Sequence, residues 1–396
     1  MPKKTVEDIE VGGKRVLVRV DFNVPLSKNG GGISDDSRIR ASLPTIKYLV
    51  DHRAKVIIFS HIGRPRGKVV ENLRMAPIAR RLSQLMDLPV STVSDCIGYE
   101  VENEVRKLKD GDILVLENLR FHPEEEENDA RFARKLASLA DIYVDDAFST
   151  AHRDHASIVG VAKYLPAVAG FLMKKELEIM GKLLHDPERP WACLIGGAKG
   201  SDKIELLQNM LRKVDILLVG GGIAATFLKT QGYEVGNSLI DDDRLGLAKE
   251  LLQEAKEWRV PFILPIDSVV AQEVRTGAST RIVPITDIPT DSQIVDIGPK
   301  SVALFQDELK KCRTIMWNGP MGINEIPQFA QGTRAIANFL SALDATTVIG
   351  GGSSAEVVQE MGLADKMTHV STGGGASLKF LEGVTLAGVK VLLDKE

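Results

Sequence analysis

Little cysteine, few aromatics, no long apolar run and no strong charge imbalance mark this chain, and each shortage removes a class of protein. The three cysteines, Cys96, Cys193 and Cys312, are odd in number and far apart with no C-x-x-C pair, so neither a disulfide frame nor a zinc site is expected. The longest mostly apolar stretch, "ILLVGGGIAATFL", is too short and too rich in glycine to span a bilayer, which argues against a membrane partner. The opening "MPKKTVEDIEV" lacks the apolar segment of a signal peptide, and a reducing cytoplasm is the expected location. A formal net charge of −4 argues against nucleic acid as a partner.

What is present is an ordinary globular composition, 44% hydrophobic and 26% charged, on 396 residues, a length that favours two cores over one. The cations are unevenly spread: 15 arginines and five of the seven histidines lie in residues 1–170, against 8 arginines after them. Such crowding suits a small anion in the first half. In that half "KRVLVRVDFNV", "KVIIFSHIG", "ILVLENLRF" and "IYVDDAF" read as buried strands, separated by "RIRASLPTIKYLVDH", "LRMAPIARRLSQLM" and "ARFARKLASLA", whose apolar residues follow helical spacing. The second half repeats the scheme, with strands "WACLIGGAK", "DILLVGGGIA", "FILPID", "TIMWNGPMG", "TTVIGGGSS" and "HVSTGGGAS" that nearly all finish in glycine. The expected fold class is therefore α/β: two lobes, each a doubly wound, mostly parallel sheet with helices on both faces. The segment 171–190 reads as one connector helix stopped by Pro187 and Pro190, and the acidic run "PEEEEN" as a solvated helix start.

Ligands of open α/β sheets bind beyond the carboxyl ends of the strands. In the first half those ends carry Asp21 and Asn23, then Ser60, His61 and Arg64, then Asn118 and Arg120, then Asp145 and Asp146, followed by His152, Arg153 and His155; Arg38 opens the first helix. If these converge, the cations suit a phosphorylated carboxylic acid, because arginine grips oxyanions through paired N–H groups. In the second half Lys199 and Lys203 stand four apart at the start of a helix, where phosphate is already favoured. No Walker A loop and no protein-kinase H-R-D signature occurs. The turns "GGGIAA" and "GGGSSA" both satisfy G-x-G-x-x-A and keep a dinucleotide oxidoreductase open, although no acidic residue follows either turn suitably. An arginine-rich and a glycine-rich lobe together suggest transfer between two bound anions, with closure excluding water.

The segments "RVDFNVPL", "SDDSRIRASLPTI", "SHIGRPRG", "LENLRFHPEE", "TAHRDHAS", "GGAKGSDKI", "WNGPMG" and "STGGGAS", in this order from about Lys14 to Gly383, resemble the phosphoglycerate kinase family. The resemblance implies reversible phosphoryl transfer between 1,3-bisphosphoglycerate with ADP and 3-phosphoglycerate with ATP, as a monomer using magnesium with the nucleotide. It implies that 3-phosphoglycerate meets Asp21, Asn23, Arg38, His61, Arg64, Arg120 and Arg153. Arg38, Lys199, Gly374 and Gly375 would receive the migrating charge, while Gly197, Lys199, Lys203, Gly221, Asn318, Glu325, Gly350, Gly351, Gly352, Ser353 and Ser354 would hold the nucleotide. It also implies that the C-terminal tail joins the first lobe, giving domains 1–170 plus 384–396 and 191–383 about the connector. Several positions depart from the family pattern. Asp145 and Ser149 stand where Asn and Gly are usual, and Ser353 and Ser354 replace the usual Asp and Thr. Ser353 bears on the metal, whose ligands are left open apart from Asp202 acting through water. The remaining rival from another class is a degenerate homologue that binds both anions without transferring phosphate.

Overall fold

Apolar runs between amphipathic helices become strands covered on both faces, which is why they read as nearly continuous hydrophobic stretches. The computed structural model of the chain describes residues 2–26, 32–198 and 201–395, with Ser201 and Asp202 as backbone only. It divides into two units, Met1–Glu178 with Thr385–Glu396, and Ile179–Val384.

In the first unit β1 (Arg15–Val20), β2 (Lys55–Phe59), β3 (Val90–Thr92), β4 (Ile113–Val115), β5 (Ile142–Asp146) and β6 (Ala167–Ala169) form a parallel sheet in the order β3-β4-β2-β1-β5-β6. Val16, Val18 and Val20 of β1 pack with Val56, Ile58, Val115 and Val144 under Ile39, Ile46 and Leu49 of helix Ser37–Asp51. Each such fully buried side chain contributes roughly 1.5–3 kcal/mol. The C-terminal tail adds to this unit through Lys4 N–H to Leu393 O (2.8 Å) and Gly388 N–H to Ala151 O (2.7 Å). The helix expected over 171–190 runs Phe171–His185 and ends ahead of Pro187.

The second unit carries β7 (Trp191–Ile195), β8 (Ile216–Val219), β9 (Phe262–Ile263), β10 (Asp267–Ala271), β11 (Thr280–Pro284), β12 (Gln293–Ile297), β13 (Thr314–Asn318), β14 (Thr346–Gly350) and β15 (His369–Val370). Six of them form a parallel sheet in the order β15-β14-β13-β7-β8-β9. From β9 inward this is the 3-2-1-4-5-6 winding of dinucleotide-binding folds, so the chain reverses direction across the sheet between β7 and β13. The small antiparallel sheet β11-β10-β12 is an addition that the sequence reading did not foresee.

Two fully buried carboxyls end β5. Burial pushes Asp145 up to about 6 and Asp146 up to about 7, against backbone N–H groups that lower them. Asp146 accepts Leu172 N–H (2.9 Å) and Met173 N–H (3.3 Å) at the start of helix Phe171–His185. Between pH about 4 and 6 the folded Asp145 keeps a proton that the unfolded chain has lost, so its ionisation costs stability as pH rises through that window. Asp145→Asn should then gain on the parent chain by on the order of 3 kcal/mol between pH 4 and pH 8. Urea denaturation at both values measures this, and a pH-independent difference would remove Asp145 as the titrating group.

Candidate active site

The strand order β4-β2-β1-β5 sets the four strand ends that carry or precede the candidate residues of the first unit side by side. Beyond β1, Asp21 Oδ2 accepts from both the Arg38 guanidinium and the Ser149 hydroxyl, and Asp21 Oδ1 takes Asn23 N–H (3.1 Å). Arg38 reaches this point from the first turn of helix Ser37–Asp51, whose entry is held by Ser37 N–H to Asp35 (2.8 Å). Asn23 Oδ1 accepts Gly63 N–H (2.9 Å), and Gly63 O accepts from Arg120 Nη1 (2.9 Å), so the backbone of one residue links the ends of β1 and β4. Gly63 has φ +63°, and a Cβ there would meet Leu73 at 2.9 Å, so glycine suits the turn. Buried Asn118 fixes the Arg120 backbone by accepting its N–H (3.1 Å).

Arg120 and Arg153 are both lowered, first by burial and then by neighbouring cations, although nearby Asp21, Glu125 and Glu126 pull the other way. Arg64 is exposed and within electrostatic range of Arg153. His61 is held well below its ordinary value by burial and then by Arg19, Arg120, Arg153 and His155, so its ring is neutral. Asp21, Asn23, His61, Arg64 and Arg120 therefore follow neighbouring strand ends, joined by Arg38 from the first helix and Arg153 from the loop after β5, with positive charge in excess.

Two participants were missed. Arg19, the penultimate residue of β1, is only 1% exposed and contacts His61; a cation within the apolar run Val16–Val20 was the available signal. Glu125 corrects the reading of "PEEEEN" as wholly solvated: it is fully buried and accepts from Ser157 N–H (2.9 Å) and Oγ–H (2.6 Å). Burial raises Glu125, but His155, Arg19 and Ser157 outweigh it and keep it below the usual carboxylate range. A run of like charges has no periodicity to show which member turns inward. A cavity of about 550 Å³ elsewhere in this unit is lined by Asp36, Arg40 and Arg81, and these cations already pair with Asp36.

In the second unit a cavity of about 440 Å³ lies at the winding reversal, lined by Gly197 beyond β7, Gly221 beyond β8, Gly319 beyond β13 and Gly351, Gly352 and Ser353 beyond β14. The turns pack backbone on backbone. Gly197 N–H donates to Pro320 O (2.6 Å), and a Cβ on Gly221, at φ +65°, would stand 2.6 Å from Gly197 N. Glycine at these turns thus serves close approach as well as any ligand. Lys203 and Glu325 line the cavity, and Lys203 Nζ contacts fully buried Asn318 Oδ1. Ser354 is committed to the scaffold, accepting Gly319 N–H and donating to Gly350 O, both at 2.8 Å. Gly350 ends β14, and Gly374, at φ +52°, precedes the short helix Gly375–Leu381, whose Leu378 reaches the cavity wall. Lys199 and the Asp202 side chain lie outside the described residues. First-turn N–H groups of helices Gly221–Thr230 and Gly352–Glu360 have no partner within their helices and favour an anion.

Among the described residues, Asp95, Cys96 and His122 bring possible metal-ligand atoms within 4.8 Å. His122 Nε2 already bonds Asp95 (2.7 Å), which raises the imidazole, and burial raises the Cys96 thiol, so the group is a hydrogen-bonded His122–Asp95 pair beside a protonated thiol. No helix among the described residues is long and apolar enough to cross a membrane.

The model of the family described as phosphoglycerate kinase matches residues 6–384. The chain is 57% identical to the phosphoglycerate kinase of Dictyoglomus turgidum over 399 residues and 54% identical to that of Pelotomaculum thermopropionicum over 395, each covering 100% of both proteins. The solved phosphoglycerate kinase of Coxiella burnetii superposes with a TM-score of 0.87 at 39% identity, covering 98% of each chain. The 3-2-1-4-5-6 winding alone would have kept the oxidoreductase open, but identity above one half along the whole length does not. By this continuous likeness the chain belongs to the phosphoglycerate kinase family and is a phosphotransferase.

Proposed function

We propose that this chain transfers a phosphoryl group reversibly between 1,3-bisphosphoglycerate with ADP and 3-phosphoglycerate with ATP, the first unit holding the phosphoglycerate and the second the nucleotide. The observation that supports the first assignment best is Arg153, whose Nε is buried with no acceptor among the described residues, near Arg64 and Arg19. A buried unpaired donor costs about 1–3 kcal/mol, a cost that a substrate carboxylate or phosphate oxygen would remove. Asp21 and Asn23 orient the acceptor, and Arg38 faces the developing charge together with Lys199 and the 374–375 turn. A carboxylate acceptor has no proton to lose, so alignment and charge neutralisation suffice and no general base is required. The 220–222 and 350–352 turns, Lys203 and Glu325 hold the nucleotide. The chain works as a cytoplasmic monomer whose units close about a hinge and exclude water, a reading that three free buried cysteines support as to compartment.

Bound with the nucleotide, magnesium would supply neutralising charge at its phosphates. Such ions are usually held by one or two carboxylates besides phosphate and water. Among the described residues lining the cavity Glu325 is the one carboxylate, and Ser353 offers only a neutral hydroxyl. The fit is therefore thin on the protein side, with Asp202 through water as the further candidate. Ser353→Asp should raise turnover and lower the magnesium needed for half-maximal rate by several-fold; an unchanged magnesium dependence would mean that another carboxylate already holds the ion. The function itself is tested by coupled measurement of ATP formation from 1,3-bisphosphoglycerate and ADP. Binding of both ligands without ATP formation would favour the degenerate homologue.

A further inference from the structure

The buried groups beneath the arginine cluster form a directed hydrogen-bond chain that ends on a histidine. Glu125 is 0% exposed and accepts the Ser157 hydroxyl proton (2.6 Å). With its proton committed there, Ser157 Oγ turns a lone pair to Arg19 Nε (3.0 Å). Arg19 Nη1 donates to Val20 O, which fixes the fork, and Nη2 faces His61 Nδ1 at 3.1 Å. Guanidinium has donors only and stays charged, so the Nδ1 of His61 must be the acceptor. The other tautomer would set N–H against N–H in a site where Arg19 is 1% and His61 3% exposed, and no water could relieve it.

We propose that Arg19 is a positioning residue that holds His61 as the neutral Nε2–H tautomer, with Glu125 and Ser157 setting Arg19. His61 then offers one N–H donor at Nε2 and no lone pair there, so it donates to a carboxylate or phosphate oxygen but repels another donor. The surrounding charges act in the same direction: Arg19, Arg120, Arg153 and His155 all disfavour a second proton on the ring. Buried polar chains of this kind polarise along their length, and each member specifies the orientation of the next. That His61 meets 3-phosphoglycerate rests on the function proposed above; the tautomer does not.

The test is nitrogen NMR of the full chain labelled with ¹⁵N-histidine, the His61 signals among the seven histidines being identified by their loss in His61→Ala. The parent should show a pyridine-type Nδ1 and a pyrrole-type Nε2 for His61 near neutral pH without ligand. A pyrrole-type Nδ1 or a doubly protonated ring would overturn the proposal, and this readout needs only the parent chain and His61→Ala, whether or not an Arg19 variant folds. In Arg19→Met the Nδ1 signal should move toward the pyrrole type, while Arg19→Lys, which retains a donor, should restore the parent pattern. A parent-like spectrum in Arg19→Met would also overturn it. The KM for 3-phosphoglycerate should rise about ten- to a hundredfold in Arg19→Met with the nucleotide KM unchanged, as expected for losing a hydrogen bond to a charged group. Adding 3-phosphoglycerate should move Nε2 and leave Nδ1 pyridine-type. An unmoved Nε2 with a pyridine-type Nδ1 would overturn the substrate contact while the tautomer stands.

Discussion

Arg38→Ala should slow turnover on the order of 10³-fold at saturating concentrations of both substrates, the lower range for arginines that meet a migrating phosphoryl group. That corresponds to about 4 kcal/mol of barrier. The geometry gives two reasons. Arg38 is anchored by Asp21, which also holds Ser149, so the guanidinium is placed before substrate arrives. Its removal also leaves the Asp21 carboxylate facing an anion with less compensating charge. Binding should therefore weaken as well, but by less than turnover, because stabilisation of charge that develops in the transition state acts on kcat. Arg38→Lys keeps the charge without the fork and should fall between the two. Steady-state kinetics with both substrates saturating is the measurement, and near-normal kcat in Arg38→Ala would remove Arg38 from the reaction.

His61→Ala combined with Arg64→Ala should weaken 3-phosphoglycerate binding by at least about 100-fold, since hydrogen bonds to charged groups contribute about 1.5–3 kcal/mol each and 1.4 kcal/mol is a factor of ten. ADP affinity should be nearly unchanged, because both residues belong to the first unit and the glycine turns to the second. Calorimetry with each ligand separately distinguishes the outcomes. An equal loss for both ligands would sink the assignment of one anion to each unit. The neutral state of His61 matters to the size of this effect: the ring contributes a directed N–H rather than a full charge.

Sequence by itself determined the elements and their class. Strands such as "VIIF" and "CLI" are apolar on both faces, and the helices between them carry apolar residues at helical spacing, which together require parallel sheets covered on both sides. The types of candidate residue were legible as well, because strand ends are the recurrent ligand positions of such sheets. The antiparallel sheet was not, since β11 is exposed along most of its length and shows no alternation of buried and exposed residues. Convergence was decided only by tertiary structure: Asp21, His61, Arg120 and Arg153 meet because β1 sits between β2 and β5, an order that no local pattern encodes. The same holds for Glu125 and Arg19. Their charge marks them for solvent in any local reading, and only the three-dimensional network of Ser157, His155 and His61 supplies the partners that make burial tolerable. The glycine turns divide in the same way, since composition marks them as close-approach points, while the fold decides that they approach each other as well as a ligand.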